Sequence, residues 1–348
     1  MQDPDLKATL ERLLSRTGIA CDGMRIDPVA AGGNNRVHRV DAGGRALLAK
    51  QYFRHPSDGR DRLDAEYRFL EHARNCGIRC VPVPVARDDS AGIGLFDFVD
   101  GRKLERSEIE PRHIGCAIDF LRQLNSRDSR LAATGLPHAS EACFSIGEQL
   151  NLVERRVRRL DAIPAGSPID AEAVNFARTF RKRWDAVRET VISRCATLEI
   201  DPQRPLEDTD RCLSPSDFGF HNALLTADHG IVFLDFEYAG WDDPAKTIGD
   251  FFCQPAIPVS RAFFQNFMNA ALAYTGRRDA LMLRARLLFP VFQMKWCCIV
   301  LNDFLPDSLA RRRFADARLD EGERKAVQLE KARRMLAEIS PEMEHGLH

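Results

Sequence analysis

Three side chains in one short stretch have the types and spacing for metal-dependent chemistry. Asp217, Asn222 and Asp235 lie within residues 213–244, LSPSDFGFHNALLTADHGIVFLDFEYAGWDDP. The apolar runs Ala223-Leu224-Leu225 and Ile231-Val232-Phe233-Leu234 predict strands. A tight turn at Ala227-Asp228-His229-Gly230 joins them, with glycine supplying the positive φ. Asp217 leads the polar loop before these strands, Asn222 follows it, and Asp235 closes the last apolar run. Two carboxylates and a carboxamide at the ends of adjacent strands can converge on one point. Hard oxygen ligands of this kind suit Mg²⁺, which keeps waters and takes its other ligands from phosphates.

The elements ahead of this stretch have to supply the rest of such a site. Residues 5–17 predict an amphipathic helix with Leu6, Leu10 and Leu13/Leu14 on one face. A strand over 26–31, the tip Gly32-Gly33-Asn34-Asn35 and a strand over 37–40 predict a hairpin. Glycine N–H groups at such a tip can cradle phosphate, and a plain hairpin turn accounts for the same residues. In the strand over 45–53, period-two alternation puts Ala46, Leu48, Lys50 and Tyr52 on one face. Lys50 on an apolar face is either a snorkelling edge residue or a buried charge with a partner. The helix over 61–75, stopped at Cys76-Gly77, places Glu66 in a stripe with Leu63, Tyr67, Leu70 and Ala73. Glu66 either pairs with Arg62 at the surface, worth about 0.2–0.5 kcal/mol, or turns inward to Lys50.

Asp-x4-Asn followed by a strand-borne Asp resembles the catalytic pattern of protein-kinase-like phosphotransferases. The form Asp235-Phe236-Glu237, then Gly240-Trp241-Asp242-Asp243-Pro244, looks more like the aminoglycoside phosphotransferase and choline kinase branch than the protein kinases. Gly32 to Asn35 likewise resembles the glycine-rich loop of small-molecule kinases. The resemblance spans most of the chain. It implies an α+β, bilobal, protein-kinase-like fold. Residues 1–98 would be a small antiparallel sheet lobe with one key helix, and residues 99–348 a larger, mainly helical lobe. It also implies transfer of the γ-phosphate of ATP, with Mg²⁺, to a hydroxyl of an amino sugar, sugar or amino alcohol.

The roles carried over follow the same resemblance. Asp217 would be the catalytic base, and Asn222 and Asp235 would hold the metal. Lys50, fixed by Glu66, would grip the α- and β-phosphates, and Gly32, Gly33, Asn34 and Asn35 would cap them. Phe98, in an interlobe linker, would cover the adenine. Glu237, Tyr238, Trp241 and Asp243 stand near enough in sequence to meet the acceptor. Pro215 occupies the position where the family usually has His, and His221 stands where Gly is frequent. Pro215 keeps an alternative open: a catalytically silent kinase-like module that binds nucleotide or a protein. Lys50, Glu66, Asp217, Asn222 and Asp235 together favour the enzyme.

Beyond residue 110 the periodicity is helical. Ile114, Ile118, Leu121 and Leu124 share a face, and helices are predicted over 146–160 and 171–195 with a connection at 162–170. Further helices are predicted from Pro244 and over 260–275, 279–303 and 320–339. Gln293, Lys295, Trp296 and Asn302 in the third of these either line a pocket or pack helices. A chain of 348 residues is long for one core and fits two lobes. A net charge of −1 argues against nucleic acid or an anionic membrane as partner. The cluster Arg155, Arg156, Arg158 and Arg159 reads as a solvated helix face. Ten cysteines without a CxxC pair predict free thiols and a cytoplasmic protein.

Overall fold

The computed structural model describes residues 4–29, 35–54, 59–306 and 321–339. Alternating side chains in the first hundred residues build one antiparallel sheet. Its strands are β1 (Arg25–Pro28), β2 (Arg36–Ala42), β3 (Arg45–Gln51), β4 (Pro84–Asp88) and β5 (Ile93–Asp97), in the order β1-β2-β3-β5-β4. One face sets Ile26, Val40, Leu47, Ala49, Ile93 and Leu95 against Leu6, Leu10, Leu13 and Leu14 of α1 (Pro4–Arg16). The opposite register of β3 leaves Lys50 and Tyr52 facing α2 (Arg62–Asn75). Asp61 caps α2 by accepting the Asp64 N–H at 2.9 Å. Phe69, Leu70 and Ala73 of α2 belong to the larger apolar core, so this helix is anchored to the elements that follow the sheet.

That larger core is mainly helical. Around it stand α3 (Pro111–Leu124), α4 (Arg127–Ala132), α5 (Ile146–Arg159), α6 (Pro168–Thr197), α7 (Pro244–Cys253), α8 (Phe264–Ala271), α9 (Arg278–Val300) and α10 (Glu321–Ala337). Two short antiparallel ribbons interrupt them: β6 (Cys212–Ser214) with β9 (Gly240–Asp242), and β7 (Ala223–Leu225) with β8 (Ile231–Phe233). The architecture is the α+β arrangement expected, a sheet lobe with one key helix and a larger helical lobe.

Some boundaries differ for local reasons. α6 starts at Pro168, earlier than predicted, because Ser167 caps it and proline suits the first helical position. The segment predicted as one helix over 260–275 is a 3₁₀ turn, Arg261–Phe263, followed by α8. α9 is long and apolar enough to cross a membrane, yet 78% of its apolar window is buried, as in a core helix. It packs closely on α7, where a side chain at Gly249 would collide with Phe292.

Candidate active site

The sheet and α2 bring one lysine to three carboxylates. Lys50 Nζ lies 2.7 Å from Glu66 Oε2, 2.5 Å from Asp235 Oδ1 and 3.9 Å from Glu237 Oε2. Only 6% of Lys50 and 4% of Glu66 is exposed, so the snorkelling alternative is eliminated. Glu66 also accepts the Tyr52 hydroxyl at 2.6 Å and the Phe236 N–H at 3.2 Å. Burial alone would lower the Lys50 pKa, but Asp235, Glu66 and Glu237 outweigh it and hold the ammonium above its ordinary range. At Asp235, partial burial works upward and Lys50 works downward. The net pKa is lowered, which keeps this carboxylate ionised. Burial, together with the Asp235 charge, pushes Glu237 up.

The loop carrying Asp217 is shaped by β6 and α7. Ser216 and Asp217 both occupy the left-handed region, at φ +49° and +46°. Ser214 Oγ accepts the Ser216 N–H at 3.0 Å and the Thr247 hydroxyl at 2.8 Å. Asn222 Nδ2 donates to Asp217 O at 3.0 Å and to its Oδ2 at 3.3 Å. This orientation leaves the Asn222 carboxamide oxygen as its ligand atom. His221 Nε2 lies 3.1 Å from Asp217 Oδ1. The Leu234 N–H donates to Asn222 O at 2.8 Å, which sets Asp235 in register beside Asn222. Asp235 is itself left-handed at φ +65°. Carboxylate oxygens of Glu66, Asp235 and Glu237 lie within 4.8 Å of one another. These oxygens converge on the Lys50 ammonium, and Glu66 and Glu237 are buried among other donors, so the oxygens that fit Mg²⁺ are those of the part-exposed Asp235 and the Asn222 carboxamide.

Lys246, Asp250 and Lys103, near this loop, carry no predicted role. Lys246 donates to Ser216 Oγ at 3.1 Å and to Asp242 Oδ2 at 2.5 Å. Asp250 accepts Lys295 at 2.8 Å and the Trp296 indole N–H at 2.9 Å. The Trp296 ring meets His221 edge-on at 6.3 Å. Lys103 Nζ, exposed, donates to His221 O at 2.8 Å. Burial pushes Asp242 up to about 6 against the pull of Lys246. The spacing Asp242, Lys246, Asp250 repeats every four residues and was visible in sequence. Such a pattern ordinarily marks an exposed helix face.

Several predicted site residues lie elsewhere. Gly32, Gly33 and Asn34 fall outside the described residues. Asn35 is buried; it donates to Glu237 Oε2 at 2.7 Å and accepts the Phe53 N–H at 3.1 Å, so it ties down the Lys50 cluster. Phe98 is half-buried, its N–H bonds Ala46 O at 3.1 Å, and the Arg39 guanidinium stands 4.7 Å over its ring. As corrections, Glu237 and Asp243 cannot meet an acceptor, because each is 0% exposed. Glu237 is enclosed by Asn35, Lys50 and Arg62, the last at 3.4 Å. Asp243 caps α7 through Ala245 N–H at 2.8 Å and accepts Arg284 Nε and Nη2 at 2.8 and 2.7 Å. Trp241 is also reassigned: its indole N–H bonds Ala133 O at 3.2 Å, and it faces a separate cavity of about 620 Å³ with Arg130 and Tyr274. Tyr238 remains half-buried under the Arg62 guanidinium, 5.2 Å from its ring.

Comparison with known proteins bears on this geometry. The family described as "phosphotransferase enzyme family" matches residues 25–286, from β1 into α9. The chain belongs to that family. The match encloses Lys50, Glu66, Asp217, Asn222 and Asp235. This phosphotransferase is similar in structure to the ADP-bound aminoglycoside phosphotransferase APH(2'')-Ib, at 12% identity and TM-score 0.55, over 98% of this chain and 99% of the other. It is similar to the choline kinase LicA from Streptococcus pneumoniae, at 14% identity and TM-score 0.56, over 96% and 99%. A spectinomycin phosphotransferase, APH(9)-Ia, solved with ADP and spectinomycin, matches at 11% identity and TM-score 0.57, over 93% and 98%. At these identities the likenesses establish the kinase-like fold. No curated protein matches the phosphotransferase by sequence.

Proposed function

We propose that this phosphotransferase moves the γ-phosphate of ATP to a hydroxyl of a small molecule, with Asp217 as the base. The observation that carries the reading is the Lys50 cluster: a buried ammonium 2.7 Å from Glu66 and 2.5 Å from Asp235. A lysine held at that point, with one partner still reachable from solvent, suits the α- and β-phosphates. Mg²⁺, when bound, would neutralise charge on the phosphoryl oxygens, and Asn222 and Asp235 would hold it. Asp217 would accept the acceptor's hydroxyl proton. His221 and Asn222 each bond one of its oxygens and so fix the carboxylate's direction. Alignment and charge neutralisation are most of what phosphoryl transfer asks of a protein. The related structures with ADP, with spectinomycin and of a choline kinase support a nucleotide donor and an amino sugar, sugar or amino alcohol as acceptor.

The test is an ATP-consumption screen against pooled sugars, amino sugars and amino alcohols, paired with calorimetry of a non-hydrolysable ATP analogue. Acceptor-dependent turnover that Asp217→Asn removes is the expected result. Bound nucleotide with no turnover on any hydroxyl compound overturns the enzyme in favour of a silent binding module.

A further inference from the structure

The Asp217 carboxylate is aimed by a strained piece of backbone. Ser216 and Asp217 are consecutive left-handed residues, and neither is glycine. Such strain persists only where the surroundings over-determine it. Pro215 contributes neither an N–H nor a polar side chain to that task. The restraint comes from the opposite direction, the first turn of α7. Lys246, 1% exposed, reaches Ser216 Oγ at 3.1 Å while Asp242 anchors its ammonium at 2.5 Å and Asp250 stands at 3.8 Å. Thr247, the next residue of the same turn, donates to Ser214 Oγ, which in turn accepts the Ser216 N–H. A second arm leaves Asp250: its Oδ1 accepts Trp296, whose ring abuts His221, and His221 touches Asp217 Oδ1. The loop is therefore held from both sides by one buried cluster.

We infer that Lys246, acting through Ser216, is a positioning residue for phosphoryl transfer that holds the Asp217 carboxylate in its left-handed setting. The inference rests on Asp217 acting as the base. A buried ion pair kept for stability alone is weakly justified, since apolar replacements are often as stable. What the pair adds here is a donor bond to the residue beside Asp217. A displacement of about 1 Å at a reacting group costs roughly a hundredfold in rate.

Ser216→Ala tests this, because it removes the acceptor hydroxyl and leaves Lys246 its carboxylates. The assay is MgATP hydrolysis, in which water takes the acceptor's place, together with calorimetry of the ATP analogue. The expected result is a kcat about ten- to a hundredfold lower with unchanged KM for ATP and a Tm close to wild type. Ser216→Cys, unbranched and still able to accept from Lys246 through its sulfur, should recover part of the lost kcat. Lys246→Met should lower kcat as much, and the double variant with Ser216→Ala little more. If Lys246→Met fails to fold, the Ser216 pair still decides. Wild-type kcat in Ser216→Ala, or a loss that Ser216→Cys does not lessen, overturns the inference. Wild-type turnover in Asp217→Asn would instead overturn Asp217 as the base. A crystal structure of Ser216→Ala gives a readout without turnover: residues 216 and 217 should leave the left-handed region, and an unchanged backbone overturns the inference.

Discussion

Lys50 and Lys246 are two buried lysines in nearly the same chemical setting, each between carboxylates, each with a pKa held above its ordinary range. Burial alone would lower both, and the carboxylates outweigh it. They differ in how their partners meet solvent. Of the Lys50 partners, Glu66 and Glu237 are sealed but Asp235 has 34% of its side chain exposed, whereas Asp242 and Asp250, around Lys246, have 0% and 2%. An open carboxylate can exchange a lysine for a ligand or share it with one. A sealed one can only hold its neighbours still. The same ion pair therefore serves recognition on the sheet side of the site and rigidity on the helical side.

The largest expected effect lies between the two clusters. Asp217→Asn should lower turnover by about 10²–10⁴, the usual contribution of a positioned general base, with analogue affinity by calorimetry unchanged. Equal turnover would leave neither lysine with a carboxylate to serve. Next, the two lysines should part company in stability. Lys246→Met leaves Asp242 buried without its partner, and breaking such a pair costs about 3–5 kcal/mol. Lys50→Met should cost less by thermal denaturation, because Asp235 can turn to water, Glu66 keeps the Tyr52 hydroxyl and Phe236 N–H, and Glu237 keeps Arg62 and Asn35; it should instead weaken nucleotide binding. A larger Tm loss for Lys50→Met would break the comparison. Smaller again is the coupling inside the open cluster. Lys50→Ala and Glu66→Ala should be non-additive in nucleotide affinity by about 0.5–3 kcal/mol, and strict additivity would mean that the pair does not act together. The smallest effect on activity sharpens the boundary of the site. Asp243→Asn keeps a capping side chain but leaves the buried Arg284 guanidinium without its carboxylate, so it should cost stability, about 3–5 kcal/mol as for any broken buried pair, and leave KM for the acceptor unchanged. A raised KM would return Asp243 to the acceptor surface.

How far the sequence reached depended on the regularity of the element carrying each residue. Lys50 and Glu66 were legible as a pair because one sits on a strand of period two and the other on a helix of period 3.6. Their inward faces followed from their neighbours, and the observed distance of 2.7 Å joins them. The same two periods exposed the strand β3 and the helix α1. Residues 237–243 carry no such period, so nearness to Asp235 in sequence said nothing about direction. Glu237 turns inward to Arg62 and Asn35, Trp241 turns to a different cavity, and Asp243 turns back into its own helix. Lys246 was hidden for the opposite reason. Its spacing from Asp242 and Asp250 is that of an exposed salt-bridged helix face, and only the packing of α9 on α7 seals it. The left-handed setting of Ser216 and Asp217 gave no signal, because such a backbone without glycine leaves no mark in composition.

The contact between Trp296 and His221 has an optical consequence. The chain holds three tryptophans. Trp184 is sealed in the helical core with its indole N–H on Glu154, and Trp241 faces the cavity beside Arg130. Trp296 alone of the three rests against the Asp217 loop, edge-on to an imidazole at 6.3 Å. Its emission should therefore respond to any displacement of His221, through altered quenching by the ring and altered polarity at the indole. With Trp184 and Trp241 replaced by Phe, the protein would become a single-emitter reporter of its own catalytic loop. Stopped-flow fluorescence could then follow loop rearrangement in real time, without a dye and without knowledge of the acceptor.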